Sequence, residues 1–352
     1  MLRIGSFQFE FPVVQAALSG YSDGPMRRIA RRFGAPYAVH EVVLDKLVVA
    51  PGKLQRKILR LHSDDHPVGG QLMGAEPSQF AAAAGMMADA GFDVIDINFG
   101  CPVKKVLGRC RGGFLLSEPR RAMEIIRAVR DNVPSEKPVT LKMRRGMDDS
   151  SESERDFFRI FDYALEAGLA AVTVHGRTVR QRYVGPSRWD FLARVKRHAG
   201  DGVVLGSGDL FTAGDIVRML EQTGVDGVTV ARGCIGNPWI FREARALLAG
   251  EDLPPPPTVA EQGRVIRRHF ELAVEEHGEK QAGRLMRKFG IKYSELHPHA
   301  RHVRDAFVRT RTAGDWMAVL DEWYDPRHDW PPVVRRERPL NLIAPGASHC
   351  AV

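Results

Sequence analysis

Residues 171–177 (AVTVHGR), 203–209 (VVLGSGD) and 227–233 (GVTVARG) share one pattern: a β-branched apolar run that ends in glycine or polar residues just before a helical stretch. Strands of this kind, apolar on both faces, belong to parallel sheets covered by helices. Five earlier runs repeat the pattern: VVQAAL (13–18), AVHEVV (38–43), PVGGQLM (67–73), VIDINFG (94–100) and VTLKMR (139–144). Between them lie helical candidates such as PSQFAAAAGMMADAG (77–91), SEPRRAMEIIRAVRDN (117–132) and ERDFFRIFDYALEAG (154–168). Several are opened by Ser, Pro or Glu and closed by Gly, the ordinary start and stop signals of a helix. Eight strands alternating with helices predict an α/β chain folded as a (β/α)8 TIM barrel. An open doubly wound sheet would carry a GxGxxG loop after an early strand, and none stands there.

The last barrel element, GNPWIFREARALLAG, is followed by Pro254 to Pro257, a run that cannot continue a helix. A boundary is predicted there, with the barrel domain over 1–250. Helical periodicity resumes beyond it and predicts a small α-helical domain over 258–325. The Pro- and Arg-rich remainder, 326–352, is expected to be an irregular tail.

The 352 residues are 44% hydrophobic and 27% charged, ordinary values for a water-soluble globular chain. No stretch approaches the ~18 uninterrupted apolar residues of a membrane span, so no membrane partner is expected. The start MLRIGSFQFEFP lacks the features of an export signal, and a cytoplasmic location and a monomer are expected. Cys101, Cys110, Cys234 and Cys350 form no CxxC pair, so neither a zinc site nor a disulfide framework is indicated. The formal net charge is +8, and between Glu261 and Arg311 twelve Lys/Arg face seven acidic residues. Such a surplus suits a polyanionic partner, although a solvated helical face gives the same count.

Ligands of a TIM barrel bind where its strands end. Here those ends are polar: Gln71 on strand three, Asn98 before Gly100-Cys101-Pro102 on strand four, Lys142 and Arg144 on strand five, His175 and Arg177 on strand six. Strands seven and eight run into Ser207-Gly208-Asp209 and Ala231-Arg232-Gly233, small-residue turns whose backbone amides can approach a phosphate closely. Lys142 and His175 point toward the same mouth by side-chain alternation. A cation there suits a ring that gains negative charge on reduction, as a flavin does, with His175 and Gln71 bonding its polar edge. Cys101 lies on a loop, followed by Lys104, Lys105, Arg109 and Arg111 in a segment with the glycine and basic content of a mobile loop. That setting favours a reactive thiol and contact with a polyanion over an inert buried cysteine.

The segments AALSGYSDGPMR, GGQLMG, DINFGCPVKKVLGRCRGGFLL, LKMRRG, VHGRT, GSGD and ARGCIGNPWIF occur in the order and spacing of the tRNA-dihydrouridine synthases, which the chain resembles across its barrel. MRKFGIKY resembles that family's RNA-binding helices. The resemblance implies FMN as cofactor, held by Ala16, Ala17 and Leu18, by Gln71, Lys142 and His175, and by Ser207, Gly208, Asp209, Ala231 and Arg232. It implies NADPH as co-substrate and reduction of a uridine in tRNA, hydride going to uracil C6 and a proton from Cys101 to C5. A protonated thiol acting as general acid is what that step asks for. Asn98, Lys105, Arg109 and Arg177 are the candidates for orienting the base or its phosphates. Ribosomal RNA is an alternative substrate, a dihydroorotate-dehydrogenase-like flavoprotein an alternative enzyme, and an RNA-binding barrel without catalysis a third reading.

Overall fold

The computed structural model describes residues 1–337; Cys350 and the end of the expected tail lie outside the described residues. Eight parallel strands close on one another: Val13–Gln15, Tyr37–Val39, Val68–Met73, Val94–Phe99, Val139–Arg144, Ala171–His175, Val204–Ser207 and Gly227–Val230. Closure runs through Val228 beside Val13, Val14 beside Tyr37 and Ala38 beside Val68. The fold is a TIM barrel, as the spacing of apolar runs predicts.

The period of two along each strand sorts the core into two layers. Val13, Val68, Ile95, Leu141, Val172, Val204 and Val228 turn outward into the large cluster that the helices complete. Val14, Tyr37, Val94, Ala171 and Leu205 turn inward and form a second cluster along the barrel axis. Glycine makes room there: a Cβ on Gly69 would lie 2.2 Å from the Tyr37 hydroxyl.

Two departures from the sequence reading concern strand limits. The run expected over 38–43 breaks after Val39, and Val43–Leu44 forms a separate short strand paired with Leu72 and Met73. His40 donates its backbone N–H to Gly69 O at 2.7 Å, while its ring Nδ1 lies 2.8 Å from Glu41 O, so the chain turns off the ladder there. The second departure is an antiparallel hairpin, Leu2–Ile4 with Phe7–Phe9, under the barrel. Its Leu2, Ile4 and Phe9 join the inner cluster and close the end opposite the strand mouths. The signal was present as L-x-I-G-S-F-x-F, period-two alternation about a turn in which Gly5 takes φ +58°.

Helices Val259–His277, Glu279–Leu285, Arg287–Ser294, Ala300–Arg309 and Ala313–Trp323 follow the proline run. Thr258 with Glu261 and Thr312 with Asp315 form capping boxes at the first and last of them. Phe270, Phe307 and Trp316 pack together at ring separations of 4.7–5.0 Å. The group leans on the barrel through Tyr21 against Phe289 and through Gly236, where a Cβ would come within 2.5 Å of the Lys292 backbone.

Candidate active site

The mouth of the barrel gathers polar side chains that alternation alone places inside. Register sets Gln71 beside Asp96, and Asn98 beside Lys142. A chain of bonds ties them: Asn98 Nδ2 donates to Gln71 Oε1 (2.7 Å), Gln71 Nε2 to Asp96 Oδ2 (2.6 Å) and Thr140 Oγ1 to Asp96 Oδ1 (2.6 Å). Asn98 Oδ1 in turn accepts from Gly100 N at 2.9 Å, fixing the turn into Cys101. Asp96 and Thr140 are thus part of the site's framework, though neither stands out in the sequence as a strand-end residue.

Lys142 lines the axial cavity with Ala16, Ala17, Gln71 and Thr173. Its ammonium makes no hydrogen bond among the described residues; burial, and the nearby Arg144 charge, push its pKa down to about 8. His175 is held neutral for the same two reasons, burial first and then the charges of Arg144, Lys142, Arg177 and Arg232. Its Nδ1 accepts from Arg177 N at 3.2 Å, which places the remaining ring proton on Nε2, the nitrogen facing Gly208. Together these groups offer donors and positive charge, with the Asp96 carboxylate lining the same cavity as Lys142.

Cys101 is half-buried, a free thiol whose pKa burial raises above its ordinary value. It stays protonated through neutral pH, as a general acid must. Its carbonyl accepts from Gly113 N at 3.0 Å, and a Cβ on Gly112 would come within 2.9 Å of Cys101 Cβ. The glycines of the loop expected to be mobile therefore serve close packing against the thiol. Lys105 and Arg109 are exposed on the stretch between Cys101 and those glycines. Cys110 is exposed, and Cys234 is buried with its thiol pushed up to about 12.

The loops after strands seven and eight present backbone. Gly208 takes φ +115° and Asp209 φ +61°, and Gly233 packs so closely on the neighbouring loop that a Cβ would meet Leu210 O at 2.1 Å. The amides of Gly208, Asp209 and Gly233 have no acceptor among the described residues. Ala16 N donates to Val230 O at 2.9 Å and Leu18 N to Ser22 Oγ at 2.8 Å, so this segment is fixed beside strand eight. Ser207 is buried and its carbonyl accepts from Gly176 N at 3.2 Å. Arg232 follows Ala231 into a short 3-10 turn and lies over the rings of Tyr183 and Phe211 at 4.9 and 5.0 Å.

Arg177 differs from its expected place. It is fully buried, with Nη2 donating to Asp209 Oδ2 at 2.7 Å and Nε to Gly185 O at 2.9 Å, so it does not reach solvent to orient an RNA phosphate. Asp209 Oδ2 also accepts from Ser187 N at 2.8 Å. The carboxylate is a brace, and what Asp209 offers a ligand is its amide. Arg177 Nη1 and Asp209 Oδ1 remain buried without a hydrogen-bond partner among the described residues.

The closed parallel barrel thus gathers its polar side chains and turn amides at the C-terminal ends of the strands, where TIM-barrel enzymes carry their sites. The family profile "Dihydrouridine synthase (Dus)" matches residues 14–324. A probable tRNA-dihydrouridine synthase of Mycobacterium tuberculosis is 36% identical over 329 residues, spanning 91% of this chain and 84% of that protein. One from Rickettsia typhi is 33% identical, spanning 91% and 99%, and tRNA-dihydrouridine synthase B of Xanthomonas axonopodis pv. citri is 32% identical, spanning 92% and 96%. Among solved structures, the old yellow enzyme homologue of Zymomonas mobilis superposes with a TM-score of 0.51 at 14% identity, covering 72% of this chain and 93% of that one. Morphinone reductase in complex with tetrahydroNAD gives 0.52 at 15%, covering 72% and 91%. The chain belongs to the dihydrouridine synthase family and is a flavin-dependent oxidoreductase. That membership sets aside the dihydroorotate-dehydrogenase-like and non-catalytic readings.

Proposed function

We propose that this chain reduces the C5–C6 double bond of uridines in tRNA to 5,6-dihydrouridine, with FMN in the barrel mouth, NADPH as reductant and Cys101 as proton donor. The observation that carries the reading is the placement of Cys101: a half-buried thiol, protonated at neutral pH, on the loop that leaves strand four beside Asn98. The mouth fits the cofactor. Unpaired amides of Gly208, Asp209 and Gly233, with the orphaned Arg177 Nη1 close by in the same brace, suit a phosphate. Lys142 supplies a fixed cation, and His175 Nε2–H and Gln71 supply polar contacts for the ring. Ala16 and Ala17 provide a small-residue wall on the strand-one side, with Leu18 next along the chain.

Bound flavin supplies the hydride for uracil C6. The negative charge left on the base is quenched when Cys101 Sγ–H gives its proton to C5, and the thiolate is reprotonated from water. A uridine must leave its stack to enter such a mouth, at a cost of a few kcal/mol that RNA contacts have to offset. Lys105 and Arg109 stand exposed beside Cys101 for that purpose. Arg284, Arg287, Arg301 and Arg309 are exposed on the C-terminal helices and form no ion pair among the described residues, which supports 258–325 as an RNA-binding unit beside the catalytic barrel of 1–250. No helix among the described residues is long and apolar enough to cross a membrane; a monomer at work in the cytoplasm is part of the proposal.

The test is to incubate FMN-loaded protein with NADPH or NADH and with tRNA or ribosomal RNA from cells lacking dihydrouridine, then map the modified base. Dihydrouridine in tRNA, formed faster with NADPH, is the expected result. Its absence from tRNA under both nicotinamides would overturn the proposal.

A further inference from the structure

The family match ends at residue 324, and the chain continues as a strap that returns to the barrel. Val333 N donates to Pro257 O at 3.2 Å and Val334 N to Leu296 O at 2.8 Å, so the strap lies between the proline run and the helices. Val333 is buried, and Arg335 pairs with Glu243 at 3.3 Å. Arg336 then turns its guanidinium inward. Nη1 donates to Arg232 O at 3.0 Å and Gly233 O at 3.3 Å, and Nη2 donates to Ile235 O at 2.9 Å and Glu295 Oε2 at 3.1 Å. One side chain thus gathers three carbonyls of the strand-eight turn and one carboxylate of the helical region, while only 10% exposed.

A trans peptide group points its C=O and its N–H in opposite directions. The group joining Arg232 to Gly233 has its carbonyl held by Arg336, so its other end, the Gly233 amide, is aimed to the opposite side of the turn. That amide is one of the three without an acceptor. A charge-assisted bond at the carbonyl also polarises the peptide and strengthens the amide as a donor.

We propose that Arg336 is a positioning residue for the cofactor phosphate: by gripping the carbonyl side of the Arg232–Cys234 turn it aims the Gly233 amide at that phosphate. The C-terminal strap thereby becomes part of cofactor retention. This inference rests on the reading of the strand-eight turn as the FMN phosphate site.

The experiment measures dissociation constants of FMN and of riboflavin, by flavin fluorescence, for the full chain and for Arg336→Gln, Arg336→Lys and Arg335→Gln. Wild type should prefer FMN to riboflavin. Arg336→Gln should weaken FMN by ~10- to 100-fold, the scale of hydrogen bonds to a charged group, and leave riboflavin unchanged. Arg336→Lys, which keeps the charge but not the fork, should fall between, and Arg335→Gln should keep the wild-type preference. Equal weakening of both flavins by Arg336→Gln would make the strap merely structural and overturn the inference, as would no change in either. A wild type that binds riboflavin as tightly as FMN would instead sink the phosphate-site reading itself.

Discussion

The two sides of the barrel mouth work by different means. Strands three to six bring side chains: Asn98 and Gln71, tied through Asp96 to Thr140, together with Lys142 and His175. Strands seven and eight bring backbone: the amides of Gly208, Asp209 and Gly233, held open by close packing and by Arg336 on the far side of the turn. The first side depends on which residue stands at a position, because in the proposed reading it places a charge or a specific donor against a ring. The second depends on the space around the chain, because any residue supplies an amide but only glycine leaves room for these turns.

Lys142 should break the first side with the larger effect. Replacing it with Met removes the cation that lines the axial cavity among the described residues and should slow flavin reduction by NADPH by ~100-fold, the scale of losing one preorganised electrostatic contact. The wild type should carry a pH signature of the same group. A lysine is charged below its pKa and neutral above it, so the reduction rate should decline as pH rises through about 8, and Lys142→Met should lose that inflection. Stopped-flow absorbance across pH 6.5 to 9.5, set as about one and a half units either side of that value, reads both outcomes.

The backbone side should respond to shape instead. Gly233→Ala places a Cβ 2.1 Å from Leu210 O and 3.0 Å from Phe211 Cα, which pushes the loops after strands seven and eight apart. Strain of this kind costs about 1–3 kcal/mol and should appear as a lower melting temperature and ~10-fold weaker FMN binding. Reduction of the flavin that does bind should keep its wild-type rate, the opposite split from Lys142→Met.

The same contrast explains what could be read from the sequence. Parallel strands buried on both faces show as continuous apolar runs, so the eight strands and the polar residues that end them were legible without long-range information. Lys142, His175 and Gln71 followed from alternation along single strands. Arg177 did not: its neighbour His175 is visible in the sequence, but its partners Asp209 and Gly185 are set by how two loops fold over one another. Arg336 is harder still, since it grips carbonyls about a hundred positions earlier in the chain and carbonyls have no sequence signature. The hairpin at the start carried a readable alternation, yet only the closed barrel shows why it is there: Leu2, Ile4 and Phe9 fill the open end of the inner layer.

The central claim is that Cys101 gives the proton to the base. Its most direct measurement is a single turnover: FMN-loaded protein, reduced beforehand without oxygen, is mixed with tRNA lacking dihydrouridine, and flavin reoxidation is followed for wild type and Cys101→Ala. The account predicts reoxidation slowed by ~10²- to 10⁴-fold in the variant, the usual worth of a general acid, with reduction by NADPH unchanged. Equal reoxidation rates in the two proteins would contradict it.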